Sequence, residues 1–131
     1  MLNCSFCSLG RKFPKMKNPI VDKSLIFAEK ILNIYFFLRE KNHYRLADQI
    51  VGSGTSIGAN VVEAQAAQSK NDFISKISIA SKEARETAYW IKLLNRKELI
   101  QNHPDFNYLQ SEIEEINKIL TSILISSKNT R

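Results

Sequence analysis

Apolar residues recur every three or four positions along most of this chain, and nowhere alternate one by one as a half-buried strand requires. After Pro19, the segment VDKSLIFAEKILNIYFFLREK carries one line at Phe27, Ile31, Ile34 and Leu38 and a second at Leu25, Ala28, Leu32 and Tyr35. That spacing predicts a helix whose apolar face is wide enough to be buried on more than one side. Asp22 suits its first turn and Arg39 and Lys41 its negative end. The connector at Asn42 and His43 is short, so the next helix runs antiparallel. It is predicted from Tyr44 to about Gln68, with a seam of Leu46, Ile50, Ser53, Ile57, Asn60 or Val61, and Ala64.

Ser69, followed three residues later by Asp72, resembles a capping box and opens a third helix. Phe73, Ile77, Ala80, Ala84, Thr87, Ile91 and Leu94 form its unbroken a/d seam. A turn centred on Gln68 and Ser69 pairs Ala64 with Phe73, Ile57 with Ala80, Ser53 with Ala84, Ile50 with Thr87 and Leu46 with Ile91. Large then meets small in successive layers. Asn102, His103 and Pro104 interrupt the pattern, and Asp105 opens a last helix along Phe106, Leu109, Ile113, Ile116, Leu120 and Ile123. Its acids Glu112, Glu114 and Glu115 precede its bases Lys118 and Lys128, in agreement with the helix dipole. The expected fold is all-α: an antiparallel up-down-up-down four-helix bundle over residues 19–127. Residues 1–18 are expected to be a disordered extension, or a stretch mis-assigned upstream of a true start at Met16, and residues 128–131 a tail.

Composition changes little in this picture. At 131 residues, with 4 Gly and 3 Pro, the chain has the size of one domain and the makeup of a helical one. The formal charge of +6 invites a nucleic-acid reading, but its distribution tempers it. Arg11, Lys12, Lys15 and Lys17, with Lys128 and Arg131, supply the excess and leave 13 bases against 13 acids in the body. Cys4 and Cys7 form a lone C-x-x-C with no second ligand pair, so no metal site is expected, and a reducing cytoplasm suits them. The leader lacks a secretory pattern, and no apolar run approaches the roughly 18 to 20 residues that cross a bilayer.

GSGTSIG at residues 52–58 is one residue off a dinucleotide fingerprint, lacks the P-loop lysine and follows no strand. Gly54 and Gly58 are therefore read as a G-x-x-x-G face that lets the second and third helices approach closely. Ser56 belongs to the same small-residue block. Asn60 and Glu63 are read as a buried or half-buried polar network that sets helix register. An acid-base site would need Glu63, Glu83 and Glu86 to converge, and neither His follows a Glu by three residues as di-metal bundles require. No catalytic residue, cofactor, metal or small-molecule substrate is expected.

Lys82, Arg85, Tyr89, Lys92 and Arg96 recur at three-four spacing, a basic stripe with an aromatic inside it. They are the candidate nucleic-acid contacts, by phosphate pairing and base stacking; the competing reading is a solvated face or one side of an intersubunit salt-bridge layer. Ile79, Trp90 and Leu93 lie off the main seam, and Phe36 and Phe37 add apolar bulk to the first helix. Surplus apolar surface of this kind marks self-association.

Thr55-Ser56-Ile57 with Asn60 and Glu63, then Ser69, Asp72-Phe73, Ala80, Glu83, Glu86-Thr87 and Tyr89-Trp90, resemble the signature of the four-helix-bundle proteins encoded in intervening sequences of bacterial 23S rRNA genes. The resemblance spans about residues 20 to 125. It implies an antiparallel four-helix bundle that assembles as a homopentamer in the bacterial cytoplasm, with no known enzymatic activity. A related branch, the accessory proteins of diversity-generating retroelements, comprises basic pentamers that bind nucleic acid and a reverse transcriptase; the neutral body of this chain departs from it. The family name records where its genes lie and is not evidence of ribosome binding. The expected function is a non-enzymatic oligomeric scaffold or adaptor that binds RNA through an assembled surface. The alternatives are a protein-only partner subunit and an enzyme using Glu63 and Glu86.

Overall fold

The computed structural model describes residues 18–129 and contains α1 (Pro19–Glu40), α2 (Tyr44–Gln65), α3 (Lys70–Leu93) and α4 (Phe106–Asn129). The C-x-x-C pair, the first four basic residues of the leader and Arg131 lie outside the described residues. Pro19 opens α1, where its fixed φ suits the first turn and its missing N–H costs nothing. The helix ends at Glu40, and beyond it Asn42 takes a left-handed φ of 67° while the His43 amide donates to the Leu38 carbonyl at 2.9 Å. Asn is one of the few residues that tolerate that conformation.

Side-chain pairs show the direction of each seam. Asn18 Nδ2 donates to Gln65 Oε1 at 2.7 Å, joining the start of α1 to the end of α2. Lys76 meets Glu63 at 3.2 Å near the α2–α3 turn, and Thr87 meets Ser53 further along. Lys23 pairs with Glu112 at 2.9 Å, and Lys30 lies 3.7 Å from Asp105. Thus α1 is antiparallel to α2 and α4, and α3 to α2, which also makes α3 antiparallel to α4. Neighbouring helices pack around a ring, while α1 and α3 stand on one diagonal and α2 and α4 on the other without close approach. This is the expected up-down-up-down bundle.

The core follows the main seams. Phe27, Ile31, Ile34 and Leu38 of α1, Ile50, Ile57, Val61 and Ala64 of α2, Ile77, Ala80, Ala84 and Ile91 of α3, and Leu109, Ile113, Ile116 and Leu120 of α4 are buried. Val61 takes the seam position left open between it and Asn60. Leu99 and Ile100, in the connector before α4, are buried as well and close one end of the bundle. They belong to no helical period, so the pattern that reveals the seams misses them.

Four expectations change. The second apolar line of α1 is not buried: Leu25 and Leu32 are exposed and Ala28 and Tyr35 only half-buried, because α2 and α4 cover one flank each and leave the outer side open. The α2–α3 register moves by about one turn, since Thr87 bonds Ser53 rather than standing opposite Ile50. That shift brings two buried hydroxyls together instead of setting either against hydrocarbon. Helix α2 ends at Gln65 rather than near Gln68, because Ser69 must be extended (φ −154°, ψ 166°) to cap α3. Its Oγ accepts from the Asp72 amide at 3.0 Å, and the Asp72 carboxylate accepts from the Gln68 amide at 3.2 Å. Finally, α4 runs to Asn129 and takes Lys128 into its last turn, two residues into the stretch assigned to the tail.

Candidate functional site

The glycine block is a packing device, but on a different seam from the expected one. A Cβ on Gly54 would lie 2.9 Å from two carbons of Ile31, and one on Gly58 would lie 3.2 Å from Ser24 Oγ. Both contacts are with α1, so the G-x-x-x-G face serves the α1–α2 seam rather than the α2–α3 seam. A Cβ on Gly52 meets nothing within 4 Å. Ser56 Oγ donates to the Gly52 carbonyl at 2.6 Å and Asn60 Nδ2 to the Ser56 carbonyl at 2.9 Å, so both satisfy their own helix. Neither makes a link between helices.

Asn60 and Glu63 do not form the expected polar network, and Glu63 and Glu86 do not converge as an acid-base site would need. Glu63 is exposed and paired with Lys76, and Glu86 is exposed and accepts from Trp90 Nε1 at 3.1 Å. Because Glu63 stands opposite Lys76, ten positions before Glu86 on α3, the two carboxylates lie roughly 15 Å apart along the bundle at 1.5 Å per residue. Glu83 is half-buried on α3, and only its backbone carbonyl joins the hydrogen bond from Thr87. Among the described residues, no three His, Cys, Asp or Glu side chains gather to hold a metal. His103 is structural: its Nδ1 accepts from the Asp105 amide at 3.0 Å, and its ring meets Phe37 edge-on at 4.8 Å.

The basic stripe is partly assembled. Lys82, Arg85, Tyr89 and Lys92 are exposed on α3. Arg96 leaves the stripe, because α3 ends at Leu93 and the chain turns. Its guanidinium binds Glu98 through two contacts to Oε2, at 2.8 and 3.0 Å. The Glu98 carboxyl is held below its ordinary value by a backbone hydrogen bond and by Arg96. Arg85 also lines an open groove of about 540 Å³ between α3 and α4, with Lys118, Asn117, Thr121, Ser122, Ala88 and Ile125. Lys118 is a basic neighbour that the pattern on one helix cannot reveal, since it reaches Arg85 only across the α3–α4 seam.

Two outer faces remain open. On α1, Leu25, Glu29, Leu32 and Phe36 recur at three-four spacing, and Phe36 is 62% exposed. On α3, Ile79, Lys82, Glu86, Tyr89 and Leu93 do the same, with Tyr89 58% exposed and edge-on to Trp90. Tyr108 lies on the α1–α4 side, near Glu112 and Asp105. Burial, with both acids beside it, pushes its phenol up to about 12.

The family model for the 23S rRNA-intervening sequence protein matches residues 16–122. The chain belongs to that family. It is also similar to a crystal structure, at 1.70 Å resolution, of a protein with unknown function from the S23 ribosomal protein family of Bacteroides thetaiotaomicron. The two are 48% identical, with a TM-score of 0.74 over 80% of this chain and 97% of that one. No curated protein matches the chain. Among the described residues of this intervening-sequence protein, no helix is long and apolar enough to cross a membrane.

Proposed function

We propose that this chain is a non-enzymatic subunit of a homo-oligomer, a scaffold or adaptor of the bacterial cytoplasm whose assembled surface binds RNA. One observation carries the reading: Leu25, Leu32 and Phe36 on α1, and Ile79, Tyr89 and Leu93 on α3, stay exposed on opposite corners of a bundle whose core is otherwise closed. Removing side chains of this size from water is worth about 1.5 to 3 kcal/mol each, and small monomers rarely leave so many in line. The number of subunits, five, comes from the family resemblance. The RNA part is supported by Arg85, Lys92 and Lys118, exposed cations without an ion-pair partner among the described residues.

Native mass spectrometry of the protein purified at low salt, with absorbance at 260 nm, tests both parts together. A multimer carrying nucleic acid is expected. A monomer at micromolar concentration overturns the assembly, and a multimer that carries a defined polypeptide but no RNA replaces the RNA part with the protein-only partner subunit.

A further inference from the structure

We infer that the outer face of α1 docks on the outer face of α3 of a second copy of this chain, in a head-to-tail contact with Glu29 of one copy and Lys82 of the other within about one helical turn of each other at its centre. This rests on the self-association reading and says which surfaces it uses.

The two faces complement each other in shape and charge. The α1 face carries Leu25, Leu32 and Phe36 with Glu29 among them and Asp22 and Glu40 at its ends. The α3 face carries Ile79, Tyr89 and Leu93 with Lys82 among them and Arg85 and Lys92 along its edge. Its one central acid, Glu86, is turned to Trp90 Nε1. Pairing α1 with α1 would set Glu29 against its own copy, and pairing α3 with α3 would do the same to Lys82. Like charges brought together in this way are costly, whereas α1 against α3 joins opposite ones.

Position along the bundle agrees. Ile31 packs on Gly54, and the adjacent Ser53 bonds Thr87, so Ile31 and Thr87 stand at about the same height. Counting from there, Phe36 is level with Lys92 and so within a residue of Leu93, Leu32 is level with Ala88 and within a residue of Tyr89, and Glu29 is level with Arg85, about one turn from Lys82. In a ring whose axis runs along the bundles, neighbours are related by rotation without rise, so residues at equal height face one another. Helices α1 and α3 also point the same way within one chain, as such a ring demands. Because the two faces sit on diagonal helices, using one leaves the other free, and repetition of a single contact builds a closed ring or a filament. An apolar groove of about 450 Å³ between α1 and α2, floored by Gly58 and walled by Leu25 and Val62, lies at the height of Ile79 and offers it a seat.

Four variants of the full chain test this, each checked for helicity by circular dichroism and sized by analytical ultracentrifugation. Glu29→Lys and Lys82→Glu should each raise the concentration needed for assembly on the order of tenfold or more, and the double variant should recover most of the loss. Phe36→Asp spoils the α1 face and Leu93→Asp the α3 face. Each variant alone should be monomeric, while their mixture should give a heterodimer through the one intact pair of faces. A wild-type monomer overturns the self-association reading together with this inference. A wild-type oligomer whose Phe36→Asp and Leu93→Asp variants keep its mass, or whose mixture stays monomeric, overturns the docking alone.

Discussion

Ile31 occupies the space that a side chain on Gly54 would fill, with two of its carbons 2.9 Å from the position of the missing Cβ. The close approach of α1 and α2 therefore depends on that glycine. Gly54→Ala gains about 1 kcal/mol of helix propensity but forces an overpacked core that costs about 1 to 3 kcal/mol. The expected net result is destabilisation. Gly52→Ala meets open space and should stabilise by about 0.5 to 1 kcal/mol. Urea denaturation of both variants at one fixed protein concentration checks the opposite signs, and a stabilised Gly54→Ala would refute the packing role.

Thr87 and Ser53 carry the buried polar link between α2 and α3. Thr87 Oγ1 lies 2.9 Å from Ser53 Oγ and 2.7 Å from the Glu83 carbonyl, so its one proton serves the carbonyl when Ser53 donates to it. Thr87→Val leaves the Ser53 hydroxyl buried with no partner here, at a cost of about 1 to 3 kcal/mol. Ser53→Ala combined with Thr87→Val should cost less than the sum of the single changes. A double-mutant cycle by thermal denaturation measures the coupling, which additivity would disprove.

Tyr108 makes stability fall at high pH. Its phenol is raised to about 12 from an ordinary 10, so the folded protein holds the proton that the unfolded chain has already released. The resulting stabilisation is fully present below pH 10 and is lost as pH rises through about 12. Tyr108→Phe should flatten the decline across that window. Tyrosinate absorbance near 295 nm should also lose its latest-titrating component, and an unchanged curve would place the raised phenol elsewhere.

Arg96 and Arg85, members of one stripe in the sequence, should separate in any RNA titration. Arg96 is held by Glu98 beyond the end of α3, whereas Arg85 projects into the groove with Lys118. Arg96→Ala should leave affinity for a single-stranded oligonucleotide nearly unchanged. Charge reversal of Arg85 and Lys118 together should weaken it and reduce the slope of log affinity against log salt by roughly 0.7 for each phosphate no longer neutralised. Fluorescence anisotropy across a salt series reads both. Equal effects of the two changes would restore Arg96 to the RNA-binding surface.

Most of the fold was legible because burial on a helix has a period. The seams Phe27 to Leu38, Ile77 to Leu94 and Phe106 to Leu120 are buried as their spacing requires. The basic stripe was legible only as far as α3 continues. A three-four pattern does not say where the helix stops, and Arg96 lies three residues beyond its end. Leu99 and Ile100 carried no periodic signal, since a connector that plugs the end of a bundle is positioned by the helices around it.

The sequence by itself determined the four helices, their order and their inward faces, because local spacing and turn residues act within a few positions of one another. Only the tertiary structure decided which neighbour each face meets. It turned Gly54 and Gly58 toward α1, moved Thr87 one turn to reach Ser53, separated Glu63 from Glu86 and left the Leu25–Phe36 line open. The physical reason is that a residue on a helix fixes the direction it faces, while the distance and register between two helices depend on every side chain along both. From Gly52 to Trp90 the chain reads clearly as helix and turn, but its partners are chosen by the packed bundle.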